Sequence, residues 1–343
     1  MKTVSNTPDT IKYYNKLFTI LSMKRIELLD YIRDLLSNAG FYVSRAYSMR
    51  PIGFDLIARR DNTLLIIKIL TNINALPEEV AKELQKLSQL LNGQPLLIGL
   101  RAGNGSLEEE VVYDRFGIKA INPETLRLHL LEGIPLQVYA APGGFYVNID
   151  TEEIKKIRKE KEISLGSFAR SLHVSRRTVR MYEDGMNARV DVAFRMEELF
   201  NTQLVKDIKI LHKTKKQETH NETSDFSKNH QQPTKPFQDK IFSLLRNSGY
   251  TIIPVGRCPF EAVSKEREKI LLTCVQKYDK KLKKKAEIVS SISKITEKRA
   301  VMITDKKGTK QNIFGTPLIL HDELRKIHDP EELLELILER ISS

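Results

Sequence analysis

The sequence predicts a multidomain chain of α/β plus all-α type: two related mixed-sheet modules flanked by helices, with a helical bundle between them. Three observations predict it. Four sequence blocks of the first half recur in the same order after residue 236, a polar stretch at residues 213–236 has no apolar period, and residues 151–205 place apolar side chains at helical spacing. A length of 343 residues also exceeds what one hydrophobic core usually supports.

The repeat begins with YIRDLLSNAGFYV (31–43) and KIFSLLRNSGYTI (240–252), which match at Ile32/Ile241, Leu35/Leu244, Leu36/Leu245, Asn38/Asn247 and Gly40/Gly249. GFDLIARRDNTLLIIKI (53–69) then aligns with PFEAVSKEREKILLTCV (259–275), pairing Phe54 with Phe260 and Asp55 with Glu261. QPLLIGLRAG is echoed by RAVMITDKKG, and FGIKAINPETLR (116–127) by FGTPLILHDELR (314–325). Each module reads as an amphipathic helix ended by glycine, a strand, and a hairpin turning near Asp61 or Arg267. A helix, a buried strand (96–100 or 301–304), and a short strand and helix follow. Four blocks in one order imply an ancient duplication.

Composition narrows the function. The chain carries 56 Lys and Arg against 44 Asp and Glu, a net charge of +12, which favours a polyanionic partner. The excess lies late: about +1 over residues 1–150 but about +6 over 237–343. Cys258 and Cys274 form no CxxC pair, and the seven histidines make no metal-binding spacing, so neither a disulfide framework nor a structural metal is expected. The most apolar run, LLIIKIL, is too short to span a bilayer, and no targeting signal is evident; a cytoplasmic protein is expected. RAGNGS and APGGF lack the ending of a phosphate loop and read as turns.

In the first module Asp55 precedes Lys68 by thirteen residues. Two carboxylates and a lysine in such an arrangement hold a divalent cation and activate water on a phosphodiester, but the second acidic position here is Ile66. Residues 22–130 resemble the PD-(D/E)xK nucleases, in particular the archaeal Holliday-junction-resolvase-like branch, with Glu27 where such enzymes often keep another acid. The resemblance implies a restriction-endonuclease-like fold with Asp55 and Lys68 as vestigial catalytic residues. The second module keeps Glu261 but has Leu272 and Cys274 at the other two positions. A lysine paired structurally with Asp55 is the preferred reading of Lys68, and neither cofactor nor metal is expected.

Residues 164–185, SLGSFARSLHVSRRTVRMYEDG, hold four arginines and no acid before Glu183. A helix starting at Thr151 presents Ile154 and Ile157; Ser164 caps a second helix with the stripe Leu165, Phe168, Ala169 and Leu172. His173-Val174 makes the turn and Ser175 caps a third helix, in which Val179 and Tyr182 point inward and Arg176, Arg177, Arg180 and Met181 outward. A fourth helix near 191–200 is expected to close the bundle with Val192, Met196 and Leu199.

This pattern, through the closing Glu-x-Gly, resembles the Cro-like helix-turn-helix over residues 151–205, with His173 where the class prefers glycine. The resemblance implies base contacts by Arg176, Arg177, Arg180 and Met181 in the major groove of double-stranded DNA, with Ser164, Leu165, Ser167 and Ser175 near the backbone. The run Lys280, Lys281, Lys283, Lys284 and Lys285 is a further candidate for phosphate contact.

The expected organisation is an N-terminal extension (1–21), an inactive nuclease-like module (22–148), a helix-turn-helix domain (149–210), a polar linker (211–236) and a second, degenerate module (237–343). The whole order resembles a family of archaeal HTH-type transcriptional regulators. It implies a DNA-binding regulator, not an enzyme, acting as a homodimer without a membrane partner. The alternative is a metal-dependent DNA nuclease or junction-processing enzyme targeted by its helix-turn-helix.

Overall fold

The computed structural model describes residues 22–44, 52–211, 236–306 and 310–342; the expected N-terminal extension and nearly all of the expected linker lie outside them. In chain order the first half contains α1 (Arg25–Asn38), β1 (Tyr42–Val43), β2 (Leu56–Arg60), β3 (Thr63–Asn72), α2 (Glu78–Leu90), β4 (Gln94–Ala102), β5 (Gly105–Ser106), β6 (Val111–Arg115), β7 (Ile118–Ile121), α3 (Pro123–Leu131), β8 (Val138–Ala141) and β9 (Gly144–Ile149). The helical region adds α4 (Thr151–Glu160), α5 (Leu165–Ser171), α6 (Arg176–Glu183), β10 (Ala188–Arg189), α7 (Val190–Phe200) and β11 (Val205–Lys206). The last part holds α8 (Pro236–Asn247), β12 (Thr251–Pro254), β13 (Ala262–Glu266), β14 (Lys269–Val275), α9 (Leu282–Thr296), β15 (Arg299–Thr304), β16 (Asn312–Ile313), β17 (Thr316–Leu320), α10 (His321–Leu324) and α11 (Pro330–Ser342).

These residues fall into two compact units. One takes those within Met1–Leu28, Leu70–Ala75 and Leu97–Ile210; the other takes those within Leu29–Ile69, Leu76–Leu96 and Leu211–Ser343.

In the second unit the apolar spacing dictates the elements. Ile32, Leu35 and Leu36 form the buried stripe of α1 there, and Gly40 follows at φ +81, the left-handed conformation that ends a helix at little cost to glycine. β1, β2 and β3 pair antiparallel, with Leu56 opposite Ile67 and Ala58 opposite Leu65, around a tight turn where Asp61 takes φ +51. The later elements repeat this. α8 is followed by Gly249 at φ +89, β12, β13 and β14 pair antiparallel, and Arg267 turns the hairpin at φ +49. Their sheet is ordered β12-β13-β14-β15-β17-β16, with β14, β15 and β17 parallel over a core that includes Ile241, Leu245, Val301 and Ile319.

The early and late elements touch directly within this unit. Gly53 N–H donates to Arg257 O (2.7 Å), Lys86 Nζ to Pro254 O (2.9 Å) and Gly256 N–H to Glu83 Oε2 (3.0 Å), while Arg59 pairs with Glu297 at 2.6 Å.

In the first unit the strand order is β4-β7-β6-β8-β9-β10, with β11 also on β9. The β6–β7 turn is Phe116-Gly117 at φ +53 and +76; the β16–β17 turn of the other unit is Phe314-Gly315 at +54 and +80. Two positive φ values in a two-residue turn suit the twist of a hairpin, but they are unusual for a bulky residue. Their recurrence at matched positions of the FG blocks is a shared backbone solution. The glycines of APGGF turn the β8–β9 hairpin, as their composition implies. β9 runs through the expected boundary at 148/149 and pairs with β10 (Ala188 opposite Val147) and with β11 (Val205 opposite Ile149), which stitches the helical region to a strand.

Candidate nucleic-acid interface

α4, α5 and α6 each start where a short polar side chain can accept an otherwise unpaired N–H. Asp150 accepts from Glu153 N–H (3.2 Å), Ser164 Oγ from Ser167 N–H (3.1 Å) and Ser175 Oγ from Thr178 N–H (3.0 Å). Asp150 also pairs with Lys206 Nζ at 3.0 Å; that ammonium, and then the Glu153 N–H, holds its carboxyl below the usual aspartate range. Between α5 and α6 the chain turns at His173, φ +56, the conformation expected of this departure from glycine.

The bundle core contains Ile154, Ile157, Phe168, Ala169, Leu172, Val179, Tyr182, Val192, Met196 and Phe200, with Leu165 half-buried against it. The rings of Phe168 and Phe200 stack with centroids 5.0 Å apart. Leu199 corrects the expectation: it is 37 % exposed, and Phe200 takes the inward place. Residues 192, 196 and 200 follow the four-residue spacing of one face, and Leu199 is rotated away from it.

A buried ion pair fixes α4 against the end of α6. Arg158 Nε lies 2.5 Å from Glu183 Oε1 and Nη2 3.2 Å from Oε2, while Nη1 donates to Ile163 O. Glu183 belongs to the closing Glu-x-Gly of the sequence pattern, and Gly185 follows at φ +103. The sequence holds one signal for this pair, an acid at an otherwise inward position, but not the identity of its partner.

With Val179 and Tyr182 buried, the opposite face of α6 is set. Arg176, Arg177, Arg180 and Met181 are all exposed, Met181 by 43 %. Among the described residues the side chains of Arg177 and Arg180 make no hydrogen bond or ion pair. Arg176 differs: its guanidinium lies over Gly166 near the start of α5, where an added Cβ would sit 3.0 Å from Arg176 Nε. Ser164 and Ser175 are exposed at their caps and Ser167 is half-buried. The fold therefore brings the start of α5 and the start of α6 together on the arginine side. Sequence spacing alone did not reveal the contact of Arg176 with Gly166.

The other expected site has a different character. Asp55 is 4 % exposed; its Oδ2 accepts Ile69 N–H (2.7 Å) and lies 3.4 Å from Lys68 Nζ, and Ile66 is fully buried. Glu27 is exposed and accepts Lys24 N–H at the start of α1. No group of three His, Cys, Asp or Glu side chains suited to a metal ion occurs among the described residues. In the late module Glu261 repeats the strand contact, accepting Val275 N–H at 2.7 Å, but its lysine comes from α9: Lys285 Nζ lies 2.6 Å from Glu261 Oε1.

This corrects the expected lysine run. Lys285 is buried, because α9 turns that position toward Glu261, and only Lys280, Lys281, Lys283 and Lys284 are exposed. Cys274, where the first module has Lys68, is buried, and desolvation pushes its thiol far up.

Two family models match parts of the chain. Residues 25–136 match the model of a PD-(D/E)XK superfamily domain, and residues 154–206 match a helix-turn-helix model. Over 314 residues the chain is 40 % identical to a protein of Methanococcoides burtonii named "Putative HTH-type transcriptional regulatory protein", covering 91 % of this chain and 96 % of that one. Similarly named proteins of Methanosarcina acetivorans and Halorubrum lacusprofundi are each 38 % identical, over 93 % of this chain and 98 % of theirs. No solved structure matches. No helix among the described residues is long and apolar enough to cross a membrane.

Proposed function

The chain belongs to the family of archaeal HTH-type transcriptional regulatory proteins, and from that premise we propose that it regulates transcription by reading double-stranded DNA in the major groove through α6. The observation that carries this reading is the division of α6: Val179 and Tyr182 inside, Arg176, Arg177, Arg180 and Met181 outside, with Arg177 and Arg180 lacking an acidic partner among the described residues. Arginine on a groove-facing helix recognises guanine through two parallel hydrogen bonds. Ser164, Leu165, Ser167 and Ser175 lie where phosphates would run, and the exposed Lys280, Lys281, Lys283 and Lys284 add sequence-independent phosphate contact. Binding-site selection from a random DNA pool at near-physiological salt tests the reading. A palindromic consensus that relaxes in Arg177→Ala supports it; enrichment of no sequence would replace it with non-specific DNA packaging.

The chain carries a PD-(D/E)XK superfamily domain, and its relatives are named as regulators rather than enzymes. The proposed role of that domain is structural. Ile66 supplies no ligand, and the Asp55 carboxylate is engaged by Lys68 and the Ile69 N–H. The superfamily match itself favours one rival, metal-dependent cleavage. Incubation of DNA with Mg²⁺ or Mn²⁺ decides between them: cleavage by the native chain that disappears in Asp55→Ala would establish an enzyme.

The modules at 22–148 and 237–343 are proposed to be copies of one ancestor, on the evidence of the four sequence blocks, the repeated hairpins and the matched Phe-Gly turns. The bundle at 149–210 is proposed to be Cro-like, and the chain to bind as a homodimer on symmetric half-sites. Light scattering with operator DNA tests this; one chain per operator would oppose it.

A further inference from the structure

Beside α6 lies an open groove of about 450 Å³, lined by Tyr139 and Ala141 of β8, Tyr146 of β9, Tyr182 of α6, and Asn187 and Arg189. That is within the size range of sites for small organic ligands. Its chemistry is specific. Tyr139 and Tyr146 stack with centroids 6.1 Å apart and offer half-buried ring surface. Asn187 Nδ2 donates to Tyr139 Oη (2.6 Å), which leaves that hydroxyl's proton to give.

Tyr182 supplies an independent pointer. It lines the groove, and its hydroxyl makes no hydrogen bond among the described residues. A hydroxyl that makes no bond within the fold keeps both its donor and its acceptor capacity for a ligand atom in the groove. Arg189 brings a guanidinium to the groove. Asp191 is shared between Arg189 (3.3 Å) and Arg195 (3.0 Å), so two guanidiniums face one carboxylate.

We propose that this groove is a binding site for a small aromatic carboxylate, its ring against Tyr139 and Tyr146, its polar edge on the Tyr182 hydroxyl and its carboxylate toward Arg189. Ring stacking favours a planar ligand and the excess positive charge favours an anion. Tyr182 belongs to the helix that carries Arg176, Arg177 and Arg180, so a ligand held there touches the proposed reading element. That coupling rests on the DNA-binding reading of α6; the site itself does not.

Binding is therefore measured first without DNA, on the full chain, by saturation-transfer NMR and calorimetry. The probe is 4-hydroxybenzoate, with 4-hydroxybenzamide and cyclohexanecarboxylate as controls for the charge and the ring. The expected result is millimolar or tighter binding of 4-hydroxybenzoate, about tenfold weaker for each control. Arg189→Ala is expected to remove the preference over the amide, and Tyr139→Ala the preference over the cyclohexane acid, with melting curves retained. No binding at about 10 mM, or equal affinity for all three probes, would overturn the site. If Tyr139→Ala does not fold, Tyr182→Phe serves in its place: unchanged affinity there and in Arg189→Ala overturns it equally. A shift in operator affinity at saturating 4-hydroxybenzoate supports the coupling, since linkage requires the effect to be mutual, and an unchanged affinity removes it.

Discussion

Arg158 and Glu183 meet side-on, two nitrogens to two oxygens at 2.5 and 3.2 Å, with side chains only 15 % and 11 % exposed. They join the first helix of the bundle to the last residue of α6, so the tilt of the arginine-bearing helix depends on a charge pair at the opposite end from Arg176 and Arg177. Arg158→Ala leaves a carboxylate buried without its cation and is expected to cost about 3–5 kcal/mol. Arg158→Met with Glu183→Leu removes both charges and is expected to recover most of that loss. Guanidinium unfolding of the full chain checks it; a loss of the same size in the double variant would show that packing, not charge, carries the contact.

Gly166 and Arg176 give a separable effect on recognition. An alanine methyl at 166 meets the far end of the Arg176 side chain, which can swing away, while replacing glycine in a helix gains up to about 1 kcal/mol. Gly166→Ala is therefore expected to keep or raise the melting temperature and to change base preference at the position that Arg176 addresses. Arg177→Ala, by contrast, is expected to cost about 1–3 kcal/mol in operator affinity. An unaltered selected consensus in Gly166→Ala would show that the resting place of Arg176 is irrelevant to recognition.

What the sequence made legible follows from period. The stripe Phe168, Ala169, Leu172 and the pair Val179, Tyr182 specify which way α5 and α6 face, and Ser164 and Ser175 mark their starts. β10 and β11 were not legible, because two-residue strands contain no alternation and their partner β9 lies some forty to sixty residues back. Lys285 was misplaced for a related reason. In a run of lysines composition suggests one solvated face, but a helix turns about 100° per residue and carries one of the three lysines in its first turn inward. The carboxylate that receives it, Glu261, was recognised only as the counterpart of Asp55.

That difference among the lysines predicts two phenotypes. Lys285→Ala strands Glu261 and is expected to destabilise the fold by several kcal/mol, about 3 or more. Lys283→Ala with Lys284→Ala is expected to leave unfolding unchanged and, under the proposed phosphate contact, to lower the slope of log K against log salt by about 0.9 for each phosphate no longer neutralised. Fluorescence-anisotropy titrations of DNA across a salt series read the slope. An identical slope in the double variant would remove these lysines from the interface.

Asp150 couples the bundle to β11 through its charge, and the sign of its pH dependence follows from the direction of its shift. Lys206 and the Glu153 N–H lower its carboxyl from the ordinary value of 3.8, so the folded state binds this proton less readily than the unfolded state. The stabilisation is thus complete above 3.8 and lost as pH falls through the lower folded value. Asp150→Asn keeps an oxygen to cap α4 but removes the ion pair with Lys206. The Asp150 side chain is 37 % exposed, so solvent screens the pair and the native chain's advantage at pH 7 is expected to stay below about 1 kcal/mol. Adding salt should reduce it further. Unfolding free energies of the two chains should converge once the pH has fallen below the lowered folded value, because protonated aspartate and asparagine are then alike in charge. A gap that persists in acid would assign the difference to cap geometry, and no gap at pH 7 would show that Lys206 adds nothing to the hold of β11.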